Sequence, residues 1–161
     1  MELISLLEGY SRLKIPVTVR SRAGIGVKID CLIDTGCSTT MLDIDVARLY
    51  GEKLEESHAI NLGSKQYNAQ AYRLHSIFLG GLELRDVFVL AVKFDIGSEL
   101  WAGMLLGLNV LNNLEYSVNR NENVIRVKEN VFANIPDAKY PYMHWFRGKS
   151  SEYVKFQAAE G

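Results

Sequence analysis

The sequence contains little cysteine and no excess of either charge. Its two cysteines, Cys31 and Cys37, are too few for a disulfide framework, and we expect two reduced thiols in a cytoplasmic protein. The 18 Lys and Arg residues nearly balance the 19 Asp and Glu residues, for a formal net charge of -1. Because no broad positive field results, neither a nucleic acid nor a membrane is expected as a partner.

Long hydrophobic runs are also missing. Arg, Lys, Asp or Glu interrupts every apolar stretch before it reaches the roughly 18 residues of a membrane span. The first ten residues, MELISLLEGY, lack the basic segment and the cleavage site of a signal peptide. What the chain does have, 161 residues of which 48% are hydrophobic, suffices for one domain with an ordinary buried core.

Strand patterns dominate what is present. Alternating apolar and polar residues predict strands at 13–19 and 27–33, with turn residues between them. A short helix is predicted at 43–50, where Asp43 can cap the first turn and Gly51 can end the last. The chain is therefore predicted to be mostly β, with hairpins that follow one another.

Further hairpins are predicted downstream. Strands at 58–62 and 67–74 flank a polar tip. The residues of this tip are Gly63, Ser64, Lys65 and Gln66. Gly80-Gly81 predicts another turn, Asn109 is predicted to cap a helical turn, and a last hairpin is predicted between residues 116 and 127.

The clearest chemistry lies in segment 31–40, whose sequence is Cys-Leu-Ile-Asp-Thr-Gly-Cys-Ser-Thr-Thr. Burying an isolated carboxylate at the exit of an apolar strand costs on the order of several kcal/mol, so Asp34 needs partners. Thr35 and Ser38 offer hydroxyls, and Gly36 lets the backbone approach until its N–H reaches the carboxylate. Such a nest keeps a carboxylate ionised and fixed in orientation.

Segment 31–40 resembles the active-site segment of retroviral-type (retropepsin-like) aspartic peptidases, in which two apolar residues precede D-T-G and a small residue follows it. The family also carries a later apolar-apolar-Gly element followed by a short apolar helix, which this chain matches at Leu105-Leu106-Gly107. In the family this element threads beside the D-T-G loop, and the glycine is needed where the backbones meet. The stretch from Leu79 to Val87 looks especially like bacterial, non-viral members with a single domain. The resemblance implies an all-β, closed barrel of hairpins with one or two short helices.

The resemblance implies an aspartic endopeptidase, and a full active site in this family needs two carboxylates. The only other acid-x-Gly candidate is Asp95, but Ile96 cannot supply the hydroxyl that Thr35 supplies. Asp95 also precedes the single Leu105-Leu106-Gly107 element, with no room in the chain for a second lobe. One D-T-G per chain therefore predicts a homodimer in which each copy contributes Asp34, and in which the paired carboxyls activate a water without a metal or other cofactor.

The resemblance also assigns roles to three groups of residues. The catalytic group is Asp34, Thr35, Gly36 and Ser38. The substrate-binding group is the hairpin tip, which matches the family's flap and would close over an extended peptide: Gly63, Ser64, Lys65 and Gln66. The group that supports the active site is Leu105, Leu106 and Gly107. The bulky Lys65 and Gln66 depart from the glycine-rich tip of viral members.

Other functions stay open from the sequence. One is a peptide- or protein-binding dimer with the same fold and little or no catalysis, and another is a scaffold domain unrelated to peptidases. Cys37 could regulate activity through its oxidation. A role for Cys37 as nucleophile would need a histidine partner, and none of the three histidines has a recognisable spacing to it. Zinc binding by the two thiols fits no known spacing either.

The resemblance to the family spans residues 13 to 127, so we expect a peptidase domain at 1–127 and an aromatic-rich C-terminal extension at 128–161. The extension crowds Pro, Tyr, Trp and Phe without a clear periodicity, and no secondary structure is predicted for it. Three roles are open for it: docking on the partner subunit, lying in the substrate groove, or covering an apolar end of the domain.

Overall fold

The computed structural model describes residues 11–62, 65–94, 103–129, 144–146 and 151–160, which contain twelve strands and two short helices. The strands are β1 (Ser11–Arg20), β2 (Gly26–Ile33), β3 (Met41–Asp43), β4 (Gly51–Leu62), β5 (Lys65–Leu79), β6 (Leu82–Val92), β7 (Met104–Leu106), β8 (Leu114–Asn119), β9 (Val124–Glu129), β10 (His144–Phe146), β11 (Ser151–Lys155) and β12 (Gln157–Glu160). The helices are α1 (Ile44–Tyr50) and α2 (Leu108–Leu111).

Nine of these strands form one sheet, in the order β10-β6-β3-β7-β2-β1-β5-β4, with β12 added on β1. Because β5 also pairs with β6, six of the strands close into a barrel. Strands β8, β9 and β11 form a separate three-stranded sheet. The predicted all-β, closed retropepsin-like barrel with one or two short helices is confirmed.

Residues 87–92 of β6 are apolar on both faces of the strand, because this part of β6 separates two cores. One face points into the barrel, together with buried side chains of most of the other strands. The opposite face packs under the hairpin of β4 and β5. The second core consists of Cys37, Met41, Ala69, Ala71, Phe88, Leu90 and Val92. This two-sided burial explains the unbroken hydrophobic run at 87–92.

The predicted ends of the first helix are confirmed. The Asp43 carboxylate accepts a hydrogen bond from the backbone N–H of Asp45 at 3.1 Å, and the Gly51 N–H donates to the Ala47 carbonyl. The predicted cap at Asn109 is wrong, because Asn109 lies inside α2, where Gly107 is the N-terminal cap. The Asn109 side chain instead bonds to residues outside the helix.

The hairpin of β4 and β5 is longer than predicted, and its turn is shorter. Leu62 pairs directly with Lys65, and Gln66 pairs with Asn61. Lys65 and Gln66 therefore belong to β5, not to a four-residue tip. The other two predicted tip residues, Gly63 and Ser64, lie outside the described residues.

Strands from the C-terminal extension pair with the preceding part of the chain. β10 pairs with β6, β11 pairs with β9, and β12 pairs with β1. Val154 and Phe156 are buried in the barrel core. These strands therefore extend both sheets. The predicted boundary between a peptidase domain and a C-terminal extension, at residue 127, stays a prediction. None of the helices in the described part of the chain has the length and apolarity to cross a membrane.

Candidate active site

Asp34 lies immediately after β2, at the start of a tight loop. Its backbone N–H donates to the Leu106 carbonyl at 3.0 Å, and its carbonyl accepts the Cys37 N–H at 3.2 Å. The half-buried carboxylate accepts the Gly36 N–H at 3.0 Å through Oδ1, as predicted. A Cβ on Gly36 would lie 3.3 Å from the same oxygen, so a glycine gives this contact the room it needs. The carboxylate is therefore held by the backbone of its own loop.

Thr35 and Ser38 lie in the same loop as Asp34. Thr35 is half-buried and Ser38 is exposed. Both residues lie within four positions of Asp34 in the sequence, and their catalytic roles stay predictions. Asp95 and Ile96, the rejected second acid and its neighbour, lie outside the described residues.

The Leu105-Leu106-Gly107 element runs beside the Asp34 loop, as predicted. β7 pairs with β2 in parallel, with Leu106 opposite Ile33. A Cβ on Gly107 would lie 2.7 Å from the Cys37 carbonyl oxygen, 2.7 Å from the Thr39 carbonyl carbon and 2.8 Å from the Thr40 nitrogen. All three atoms belong to the backbone and cannot swing aside. The glycine at 107 is therefore required where the two segments meet.

The three support residues face different parts of the structure. The half-buried Leu105 side chain lines a groove next to Asp34. The fully buried Leu106 side chain belongs to the barrel core. Gly107 contributes the backbone contact with the loop. These three consecutive residues thus connect the core, the groove and the loop.

A buried network that the sequence reasoning missed links Thr40 and Asn109. Asn109 Oδ1 accepts two hydrogen bonds, from the Thr40 backbone N–H at 2.8 Å and the Thr40 hydroxyl at 2.7 Å. Asn109 Nδ2 donates to the Phe88 carbonyl at 2.9 Å, and Thr40 Oγ1 accepts the Gly107 N–H at 3.0 Å. Both side chains are buried, and the network joins the loop, β6 and α2 through direct hydrogen bonds.

An open groove of about 460 Å³ separates the Asp34 loop from the outer part of β4. Its lining combines loop residues, apolar side chains and one stretch of β4: Asp34, Gly36, Cys37, Ser38, Thr39, Met41, His58, Ala59, Ile60, Asn61, Leu90 and Leu105. The groove wall at 58–61 was not predicted, because the sequence analysis placed substrate binding at the hairpin tip. The exposed Gln66 is not among the lining residues.

The surroundings of both thiols raise their pKa. Burial, together with the negative charge of Asp34, raises the pKa of Cys37 to about 11. The Cys37 thiol donates to the Thr39 carbonyl at 2.8 Å. Complete burial also raises the pKa of Cys31. Because the thiolate is the nucleophile, the raised pKa of Cys37 argues against a cysteine hydrolase.

Within the described ranges, no group of three or more His, Cys, Asp or Glu side chains has an arrangement that could hold a metal ion.

The closed barrel and the glycine-braced D-T-G loop define a retropepsin-like aspartic protease. Residues 15–110 match the model of a family described as aspartyl protease, and this range includes the Asp34 loop, the groove wall and Gly107. The chain belongs to this aspartyl protease family.

Two solved structures are similar to this chain. The retroviral protease-like domain of Ddi1 from Leishmania major aligns with a TM-score of 0.53 at 12% identity, over 91% of this chain and 94% of that one. A retropepsin-like aspartic protease from Rickettsia conorii aligns with a TM-score of 0.44 at 22% identity, over 65% of this chain and 83% of that one. A search of curated proteins found no match.

Proposed function

We propose that this protein is an aspartic endopeptidase that works as a homodimer, in which each copy contributes Asp34 to one shared active site. The observation that supports it most is the orientation of the Asp34 carboxylate. Its Oδ1 accepts the Gly36 N–H at 3.0 Å, and the residue lines a groove of about 460 Å³. A fixed carboxylate beside a groove is what acid–base chemistry on a bound peptide needs.

A single carboxylate is half of the required catalyst. In aspartic proteases, two carboxyl groups about 3 Å apart share one proton, so that one acts as base and the other as acid. The sequence contains one D-T-G, at residues 34–36. A two-fold axis near Asp34 would supply the second carboxyl from an identical loop of a second copy.

The proposed reaction is the hydrolysis of a peptide bond by a water held between the two carboxyls. The ionised carboxylate takes a proton from the water as its oxygen attacks the peptide carbonyl. The protonated carboxyl donates a hydrogen bond to the carbonyl oxygen, which gains negative charge in the transition state. The C–N bond then breaks, and the carboxyl that took the proton from the water passes it to the leaving amine. This scheme uses no metal and no other cofactor.

The proposed substrate is an extended peptide with an apolar side chain next to the bond that is cut. β4 stands at the end of the strand order and pairs, among the described strands, with β5. Its other edge can hydrogen-bond an extended backbone. Four large apolar side chains line the groove beside Asp34: Met41, Ile60, Leu90 and Leu105. Their contact with an apolar side chain would favour its burial.

A cytoplasmic location is part of the proposal. It is supported by the two cysteines, which are both free and buried. Reduced thiols persist where the environment is reducing.

The test compares wild type, Asp34→Asn and Asp30→Asn on a mixed peptide library at mildly acidic pH. Asp34→Asn keeps the size of the side chain and removes the charge, so product formation should fall by at least about a thousandfold. Asp30 is an exposed acid on β2, four residues earlier, and its change should leave turnover close to that of wild type. Equal products from wild type and Asp34→Asn would overturn the proposal and favour a peptide-binding dimer that does not cut.

A further inference from the structure

The hairpin that forms the groove wall leaves the barrel at Gln70. Residues 70–79 of β5 pair with β6, and Gln70 is the last of them, opposite Ala91. Beyond this point β5 pairs with β4. Residues 57–62 and 65–69, called here the outer hairpin, are therefore a two-stranded ribbon, which is marginally stable unless other contacts hold it.

A β-bulge lies at the base of the outer hairpin. Lys53 pairs with Tyr72, and the next pair is Ser57 with Gln70. Three residues of β4, at 54–56, therefore face the single residue Ala71 of β5. A bulge of this kind bends the strand and leaves carbonyl groups without partners in the ladder. The direction in which the outer hairpin leaves the barrel depends on how this bulge is held.

The Gln70 side chain bridges the bulge. Its Nε2 donates to the carbonyl of Leu54 and, at 2.9 Å, to the carbonyl of Glu56. One half-buried amide thus binds both ends of the extra segment. The two hydrogens of a side-chain amide can satisfy two acceptors at once, which neither a hydroxyl nor a carboxylate can do.

The bulge is connected to the groove wall through Glu56 and His58. The Glu56 carboxylate bonds to His58 Nε2 at 2.9 Å, and the His58 ring packs against the Phe88 ring with 5.6 Å between centroids. His58 lines the groove that also contains Asp34. The Phe88 carbonyl accepts from Asn109, within the network that braces the Asp34 loop. The bulge therefore contacts one wall of the groove, at His58, and the Asp34 loop forms the opposite wall.

We propose that Gln70 is a positioning residue, which through its bridge across the 54–56 bulge holds the His58–Asn61 wall above Asp34. The role in catalysis rests on the proposed function, because the wall's position matters to turnover only if a peptide binds beneath it. Without the amide, the bulge relaxes and the outer hairpin samples more orientations. A peptide must then order the hairpin when it binds, so binding weakens more than the chemical step.

The test is hydrogen exchange of the full-length protein, with Gln70→Leu and Gln70→Glu compared with wild type. Both changes remove the two amide donors. Exchange of outer-hairpin amides should become about tenfold faster, the factor that corresponds to the loss of one or two hydrogen bonds. Exchange in β1, β2 and β7 should not change. Asn68→Leu and Asn68→Asp are matched controls, since Asn68 is an exposed amide on the same strand two residues away.

An unchanged exchange rate in the outer hairpin of the Gln70 variants would overturn the inference. A uniform increase in exchange rate throughout the barrel would also overturn it, because such an increase indicates a general loss of stability. If peptide cleavage is detected, the KM of the Gln70 variants should rise about tenfold while kcat stays within about twofold. Because exchange is measured without substrate, an inactive protein would disprove the proposed function without disproving the role of Gln70 in positioning the hairpin.

Discussion

The Asp34 loop and the outer hairpin lie on opposite sides of the same groove but are held in different ways. The loop is braced by backbone hydrogen bonds to β7 and α2 and by a buried side-chain network. The outer hairpin has two strands. It is held by the Gln70 amide at its base, by the packing of Ala69 and Ile60 in the second core, and by the contact between the His58 and Phe88 rings. This difference matches their proposed tasks, since a catalytic carboxylate must be fixed whereas a substrate-binding wall must adapt. Changes in the loop should therefore affect folding more than changes in the hairpin.

The largest effect is expected from Gly107→Ala. The new methyl group would lie 2.7 Å from two backbone atoms of the loop, and neither can move without displacing the loop. The free energy of unfolding should fall by more than about 3 kcal/mol, as measured by urea denaturation. Gly26→Ala is the control, because its methyl group would meet its neighbours at 3.4 Å. If both variants were equally stable, the loop would not be braced as described.

A smaller loss is expected from Asn109→Ala. The change leaves the Thr40 N–H and the Phe88 carbonyl buried without their partner. We expect a decrease of about 2–4 kcal/mol in the free energy of unfolding. Asn121→Ala, at an exposed position in the turn between β8 and β9, should cost less than about 0.5 kcal/mol. A loss for Asn109→Ala no larger than this would contradict the bracing role of the network.

The pH dependence of stability tests the surroundings of Cys37. Burial raises its pKa to about 11 in the folded protein, from an ordinary value of 9.0. Between these values the unfolded chain loses the thiol proton while the folded chain keeps it. The free energy of unfolding should therefore fall as the pH rises from about 9 to about 11. Cys37→Ser should reduce this slope, and an unchanged slope would show that Cys37 is not the source.

The smallest effect is expected in the outer hairpin. Tyr67 is 43% exposed on β5, and Tyr67→Ala should change the free energy of unfolding by less than about 0.5 kcal/mol. The same denaturation experiment measures it. A loss as large as that of Asn109→Ala would mean that the hairpin contributes to the stability of the barrel, and the contrast between the two regions would not hold.

The parts predicted from the sequence are those with local signals. Asp34 and Gly36 stand in one short motif whose residue types favour a close backbone contact, and the structure has that contact. The need for glycine at 107 was implied by the resemblance to the family, and the structure has that contact too. Asp43 and Gly51 mark the ends of a helix in the same local way.

The parts that were not predicted depend on distant partners. Asn109 bonds to Thr40, 69 positions away, so it was interpreted as a helix cap. The bulge at 54–56 is set by pairing with β5, and alternation along β4 does not reveal it. The positions of β10, β11 and β12 likewise follow from long-range register and not from their own irregular sequence.

The most direct test of the central claim is a mixing experiment. A fixed amount of wild-type protein is assayed with increasing amounts of Asp34→Asn. If each copy supplies one carboxylate, equal amounts of the two should reduce activity to about half by random pairing, and a large excess of the variant should abolish it. Activity that does not change with added variant would contradict a shared active site.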